Sequence, residues 1–143
     1  MRDIDLIASD FELLGDWDQR YQYLIELGEV MDPMPESEKV DDNRVIPCMS
    51  MVWVRAFRDS ANPNRIGYHG DCDTAIIKGV VALLVNLFSG KSPREVIDTD
   101  VDELFDRISL GDHLSPNRHV GVYAIVDLMK AQAAQLSSLT EVA

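Results

Sequence analysis

Cysteine is scarce in this sequence: its 143 residues carry only Cys48 and Cys72. Two thiols are too few for a disulfide framework, and they fit a reducing compartment in which each stays available for chemistry. Glycine and proline are also sparse, at 8 and 6 residues, and no repeat or low-complexity tract appears. A fibrous repeat is thereby excluded, and a long disordered tail is not indicated. Long apolar runs are missing. The most apolar stretch, residues 75–88, includes Lys78 and is shorter than the roughly 20 residues of a membrane span. Residues 1–9 lack the basic start and apolar run of a signal peptide. The expectation is a cytoplasmic protein that does not enter a membrane.

Positive charge is the next deficit. Lys and Arg number 13 against 25 Asp and Glu, a net charge of -12 with no basic cluster, so a phosphate backbone would be repelled and nucleic-acid binding is not expected. There is no Gly-rich phosphate loop, no Gly-x-Ser-x-Gly elbow and no paired-carboxylate pattern, which argues against a self-sufficient enzyme. The length suits one domain, residues 1–143, able to bury a core without disulfides or a structural metal.

What is present is a change of hydrophobic period along the chain. Trp17, Tyr21, Leu24, Ile25 and Gly28 share one helical face, with Asp16 as cap and Gln19 three residues later. Residues 31–42 read as a surface loop. Across residues 45–68 the period falls to two. Val52, Val54 and Ala56 alternate with Met51, Trp53, Arg55 and Phe57, turn formers fill 59–64, and 65–69 return antiparallel. Residues 43–46 read as a short preceding strand, which puts Cys48 at a turn between strands. Asp73 is placed to cap a buried helix over 74–88. Ser92-Pro93-Arg94-Glu95 opens a short helix, Asp100 another, and Ser115-Pro116 a last one whose apolar stripe runs from Val122 to Leu136 before a frayed tail. This order predicts an α+β domain: a small antiparallel three-stranded sheet packed against helices.

Two thiols carry the candidate chemistry. A cysteine in a turn is reachable by another protein, whereas a core cysteine is inert. Spacing alone leaves Cys48 between those readings. Cys72 precedes the central helix, whose free N–H groups favour a thiolate, but Asp71 and Asp73 on either side oppose it. Arg118 stands at the third position of the last helix, where a cation is disfavoured by something like a few tenths to one kcal/mol. That placement points to a tertiary or partner requirement, or to a salt bridge. His69, His113 and His119, with the cysteines, Asp71 and Asp73, are metal-ligand types without ligand spacing.

Four motifs in register resemble the SufE family of sulfur acceptors over about residues 11–134. They are Asp16-Trp17-Asp18-Gln19-Arg20-Tyr21 with Ile25-Glu26-Leu27-Gly28; Cys48-Met49-Ser50-Met51-Val52-Trp53; Gly70-Asp71-Cys72-Asp73 with Ala75-Ile76-Ile77-Lys78-Gly79; and His113-Leu114-Ser115-Pro116-Asn117-Arg118 with Gly121. The resemblance implies a SufE/IscU-like fold. It also implies a persulfide carrier that stimulates a SufS-like cysteine desulfurase and delivers sulfur to a SufB-like iron–sulfur scaffold. On this likeness Cys48 is the acceptor, with Ser50, Asp73 and Arg118 as supporting residues and Cys72 as a second thiol able to relay sulfur or trap Cys48 in a disulfide. No cofactor or metal is expected in this chain, since pyridoxal phosphate belongs to the desulfurase. The alternatives are an IscU-like metal or iron–sulfur scaffold and a redox-regulated adaptor. Four positions depart from the family pattern: Pro47 replaces a usual glycine, Met49 and Met51 replace polar residues, and Cys72 replaces a serine. A proline there fixes φ and removes an N–H, so the loop is expected to be stiff.

Overall fold

Period-two alternation becomes an antiparallel hairpin. The computed structural model describes residues 4–46, 51–110 and 116–142, without the side chains of residues 116–119 and 138–142. Strand β1 (Val52–Arg58) pairs with β2 (Ile66–Cys72) in a register that sets Val52 opposite Cys72 and Arg58 opposite Ile66. Asn62 and Asp59 stabilise the connection, their side-chain oxygens accepting the N–H groups of Asn64 and Ala61. Val52, Val54, Ile66, Tyr68 and Cys72 are buried on one face, as half-buried strands require.

The sheet has two strands among the described residues, not the three expected. Arg44 makes a single bridge to Trp53 where a third strand was read. The reason is local: residues Asp41–Asn43 coil into a 3₁₀ turn immediately before it, so too little extended chain remains for a ladder. Side chains close that edge of β1 instead. Gln132 accepts the Ala56 N–H at 3.0 Å and donates to the Val54 carbonyl at 2.8 Å, satisfying two edge groups from a helix.

Helices cover the buried face. The helix α2 (Trp17–Glu29) starts where Asp16 accepts the Gln19 N–H at 2.8 Å. The central helix, α3 (Ala75–Phe88), is buried almost all round. Its Gly79 lies so close to α2 that an added Cβ would stand 2.2 Å from the Leu24 carbonyl oxygen. After it come α4 (Pro93–Asp98), with a complete Ser92/Glu95 capping box, and α5 (Val101–Arg107), capped by Asp100. The last helix, α6 (Pro116–Val142), continues beyond Leu136, where a frayed tail was expected. It packs on the hairpin through Gln132 and through Tyr68, whose hydroxyl donates to the Met129 carbonyl at 2.7 Å. The first helix, α1 (Ile4–Leu13), was not anticipated. It buries Ile7, Ala8 and Phe11 and is fastened by Arg107, which binds Glu12 at 2.6 Å and Asp5 at 3.3 Å. Among the described residues, no helix is long and apolar enough to cross a membrane.

Candidate functional site at the cysteine loop

The ends of the segment that carries Cys48 are held from two sides. Val45 N–H donates to the Val52 carbonyl at 2.9 Å, which ties the chain just before Ile46 to the start of β1. Across the hairpin, Met51 N–H donates to Asp73 Oδ1 at 3.0 Å, and Asp73 N–H donates back to the Met51 carbonyl at 3.1 Å. Pro47, Cys48, Met49 and Ser50 themselves lie outside the described residues. The frame around them consists of Ile46, Met51 and the Asp73 clasp.

Asp73 therefore does something other than capping. The N-cap of α3 is Thr74, without a side-chain cap bond, and the Asp73 carboxylate accepts from Met51 N–H and from the Thr74 hydroxyl at 3.3 Å. A carboxylate that accepts a backbone N–H makes a charge-assisted bond, worth roughly 1.5–3 kcal/mol when shielded and less when exposed, as here. Asp73→Ala is expected to cost about 1 kcal/mol of stability in urea titration. It should also release Met51, seen as faster amide exchange at that position. Asp73→Asn, which keeps the acceptor oxygen, should recover most of both.

Cys72 ends β2 rather than preceding a helix in a free turn, because the alternation continues beyond the expected strand end. Its thiol is 7% exposed and accepts the Thr74 N–H at 3.4 Å, with an Asp73 carboxylate oxygen 4.0 Å away. One residue earlier, Asp71 faces the other side of the sheet opposite Trp53. There Lys39 bonds it at 2.7 Å and Lys78 lies at 3.4 Å, while the Lys39 ammonium sits 5.7 Å from the Trp53 ring centroid. Burial pushes the Asp71 carboxyl up, but Lys39, the Cys72 N–H and Lys78 together outweigh it and hold it below the ordinary carboxylate range. With the folded value below the unfolded one, near about 3.9, this contribution is complete above the unfolded value. It disappears as pH falls through the folded one. Asp71→Asn should flatten the loss of stability below about pH 4, checked by urea midpoints at successive acidic pH values.

Arg44 and Arg118 belong to the elements that run toward the segment that carries Cys48. Arg44 lies on its incoming side, and its buried Nε meets no hydrogen-bond acceptor among the described residues. The bridge to Trp53, a contact across the chain, is what fixes its position. Arg118 lies in the first turn of α6, with its side chain outside the described residues. Gln132 meets Val54 and Ala56, and the Leu136 carbonyl meets Arg58. Helix α6 therefore runs in the direction of β1, and its Arg118 end is on the side from which the cysteine loop departs. His69 is engaged elsewhere, at 2.7 Å from Glu38, which also binds Arg55 at 2.9 Å. No group of three or more metal-ligand side chains gathers among the described residues; His113 and the side chain of His119 lie outside them.

Residues 5–133 match the family model SufE, the Fe-S metabolism associated domain. The chain belongs to the SufE family. An uncharacterized SufE-like protein of Rhizobium meliloti strain 1021 is 36% identical over 135 residues, covering 93% of this chain and 96% of that protein. Its counterpart in Rhizobium etli is 34% identical over 134 residues, covering 93% and 90%. In three dimensions the chain is similar to a hypothetical protein of Thermus thermophilus solved in solution. The TM-score is 0.76 at 20% identity, covering 94% of this chain and 96% of that one, a likeness of fold. Within a SufE chain the Met51–Asp73 clasp joins two motifs that the sequence reading could connect only by resemblance.

Proposed function

We propose that this SufE-family chain accepts persulfide sulfur on Cys48 from a SufS-like cysteine desulfurase and passes it to a SufB-like iron–sulfur scaffold. The observation that supports this reading most is the clasp of Asp73 on Met51, three residues beyond the cysteine of the family motif. A carrier needs its thiol on a segment fixed at both ends, so that a partner meets it in one place. The step is thiol exchange. The Cys48 thiolate attacks the terminal sulfur of the partner's persulfide, the partner's sulfur–sulfur bond breaks, and its cysteine leaves as thiolate, with no net oxidation. Carbon–sulfur cleavage stays with the desulfurase and its pyridoxal phosphate, so the chain acts as an accessory protein in the cytoplasm rather than as an enzyme. Arg118 and Arg44 supply positive charge toward the thiolate, Ser50 a hydroxyl beside it, and Cys72 a protected second thiol behind the sheet.

The test is sulfide release by a SufS-like desulfurase with cysteine as substrate, in the presence and absence of this protein. The expected result is a saturable rise in rate as the protein is added. A desulfurase rate that stays flat over the whole titration would remove the reading.

A further inference from the structure

The hairpin has a second edge, and a cleft opens along it. In the β1–β2 register, odd-numbered residues of β2 face β1 with their backbone groups, since Asp59 and Asp73 N–H reach Arg65 and Met51 carbonyls across the ladder. The even-numbered residues Ile66, Tyr68 and Gly70 therefore direct N–H and C=O away from β1. Ile66 is satisfied: its N–H donates to the Lys91 carbonyl at 2.9 Å and its carbonyl accepts from Gly90 N–H at 2.8 Å. Beyond Ile66 this short pairing stops, and no described residue continues it along Tyr68. At that point lies a cleft of ≈ 640 Å³ that reaches from Gly90 past Tyr68 and His69 to Val30 and Asp32. Val30, just past the end of α2, stands 72% exposed among its lining residues.

The charge of the cleft is one-sided. Asp32 and Asp59 line it, and no Lys or Arg does. The cations nearest in sequence are turned to other partners: Arg58 to the Leu136 carbonyl, Arg65 to Glu95 and Lys91 to the Leu87 carbonyl. An unpaired strand edge accepts an extended peptide by continuing the ladder, and side chains beside it set the sequence preference. We infer that the β2 edge at Tyr68 is a docking groove for an extended segment of a partner protein in which basic and apolar residues alternate. The partner backbone takes up the Tyr68 N–H and C=O, its apolar side chains meet Val30, and its basic ones face Asp32 and Asp59. The groove sits toward the turn end of the hairpin, away from the Val52–Cys72 end from which the Cys48 segment departs.

The full chain, labelled with ¹⁵N, is to be titrated with an acetylated and amidated Lys-Val-Lys-Val-Lys-Val peptide. Saturable shifts are expected at Tyr68 and its neighbours, with a Kd of about 100 µM and slowed exchange of the Tyr68 amide. The double variant Asp32→Asn/Asp59→Asn, with its fold checked by its own spectrum, should bind about tenfold more weakly. A peptide N-methylated at alternate residues, which keeps its charge but cannot extend a ladder, should not bind the groove. Equal binding of the methylated peptide would reduce the interaction to charge alone and overturn the proposal. So would an absence of saturable shifts at Tyr68, or an affinity unchanged by the double variant.

Discussion

Cys48→Ser is expected to bring desulfurase stimulation down to the rate of the desulfurase alone. Exchange at a persulfide requires a thiolate nucleophile, and a serine hydroxyl is almost wholly protonated at neutral pH and makes no comparable bond to sulfur. The loss should be complete rather than partial, because nothing else in the frame can take its place in the open. Cys72, the other thiol, is buried and receives the Thr74 N–H. The paired variant Cys72→Ser separates the two: it should keep most of the stimulation. If Cys48→Ser stimulates as the unaltered protein does, sulfur transfer through Cys48 is wrong.

Gly79→Ala should give the largest loss of stability from adding a single methyl group. The new Cβ would stand 2.2 Å from the Leu24 carbonyl oxygen, 2.6 Å from its carbon and 2.9 Å from its Cβ. Backbone atoms of a packed helix cannot rotate away, so α2 and α3 must separate along their contact. Overpacking typically costs about 1–3 kcal/mol, and the gain from replacing glycine by alanine within a helix offsets about 1 kcal/mol. With the clash at the severe end, the net loss is about 2 kcal/mol, or a fall in Tm of roughly 6 °C for a chain of this size. Gly15→Ala is the control, since nothing lies within 4 Å of a Cβ there, and its Tm should stay within about 2 °C of the unaltered protein. A Gly79→Ala protein as stable as that control would mean that the two helices are not in close contact.

Much of this architecture was legible because its signals are local. Asp16 with Gln19, Ser92 with Glu95, and the turn formers between the strands each act within a few residues, and the hairpin, α2 and α4 follow from them. What escaped depends on distant partners. The helix α1 buries Ile7 and Phe11 at helical spacing, but its attachment relies on Arg107, far along the chain. Asp73 carries a capping signal, yet Met51 takes its carboxylate, a contact visible only once β1 and β2 are in register. The expected third strand fails for a local reason instead, the 3₁₀ turn at Asp41–Asn43, and Gln132 then supplies from a helix two of the edge bonds that a strand would have made. At the site, Cys48, Ser50 and Arg118 came from their place in family motifs, and the clasp on Met51 is the part that only the fold adds.

The most direct measurement is the mass of the chain after incubation with a SufS-like desulfurase and cysteine, followed by fragmentation to locate the change. The account predicts the added mass of one sulfur atom on the peptide containing Cys48, removed by a reducing agent and absent from Cys48→Ser. Unaltered mass in the presence of an active desulfurase, or added sulfur found on Cys72 with Cys48 unmodified, would contradict it.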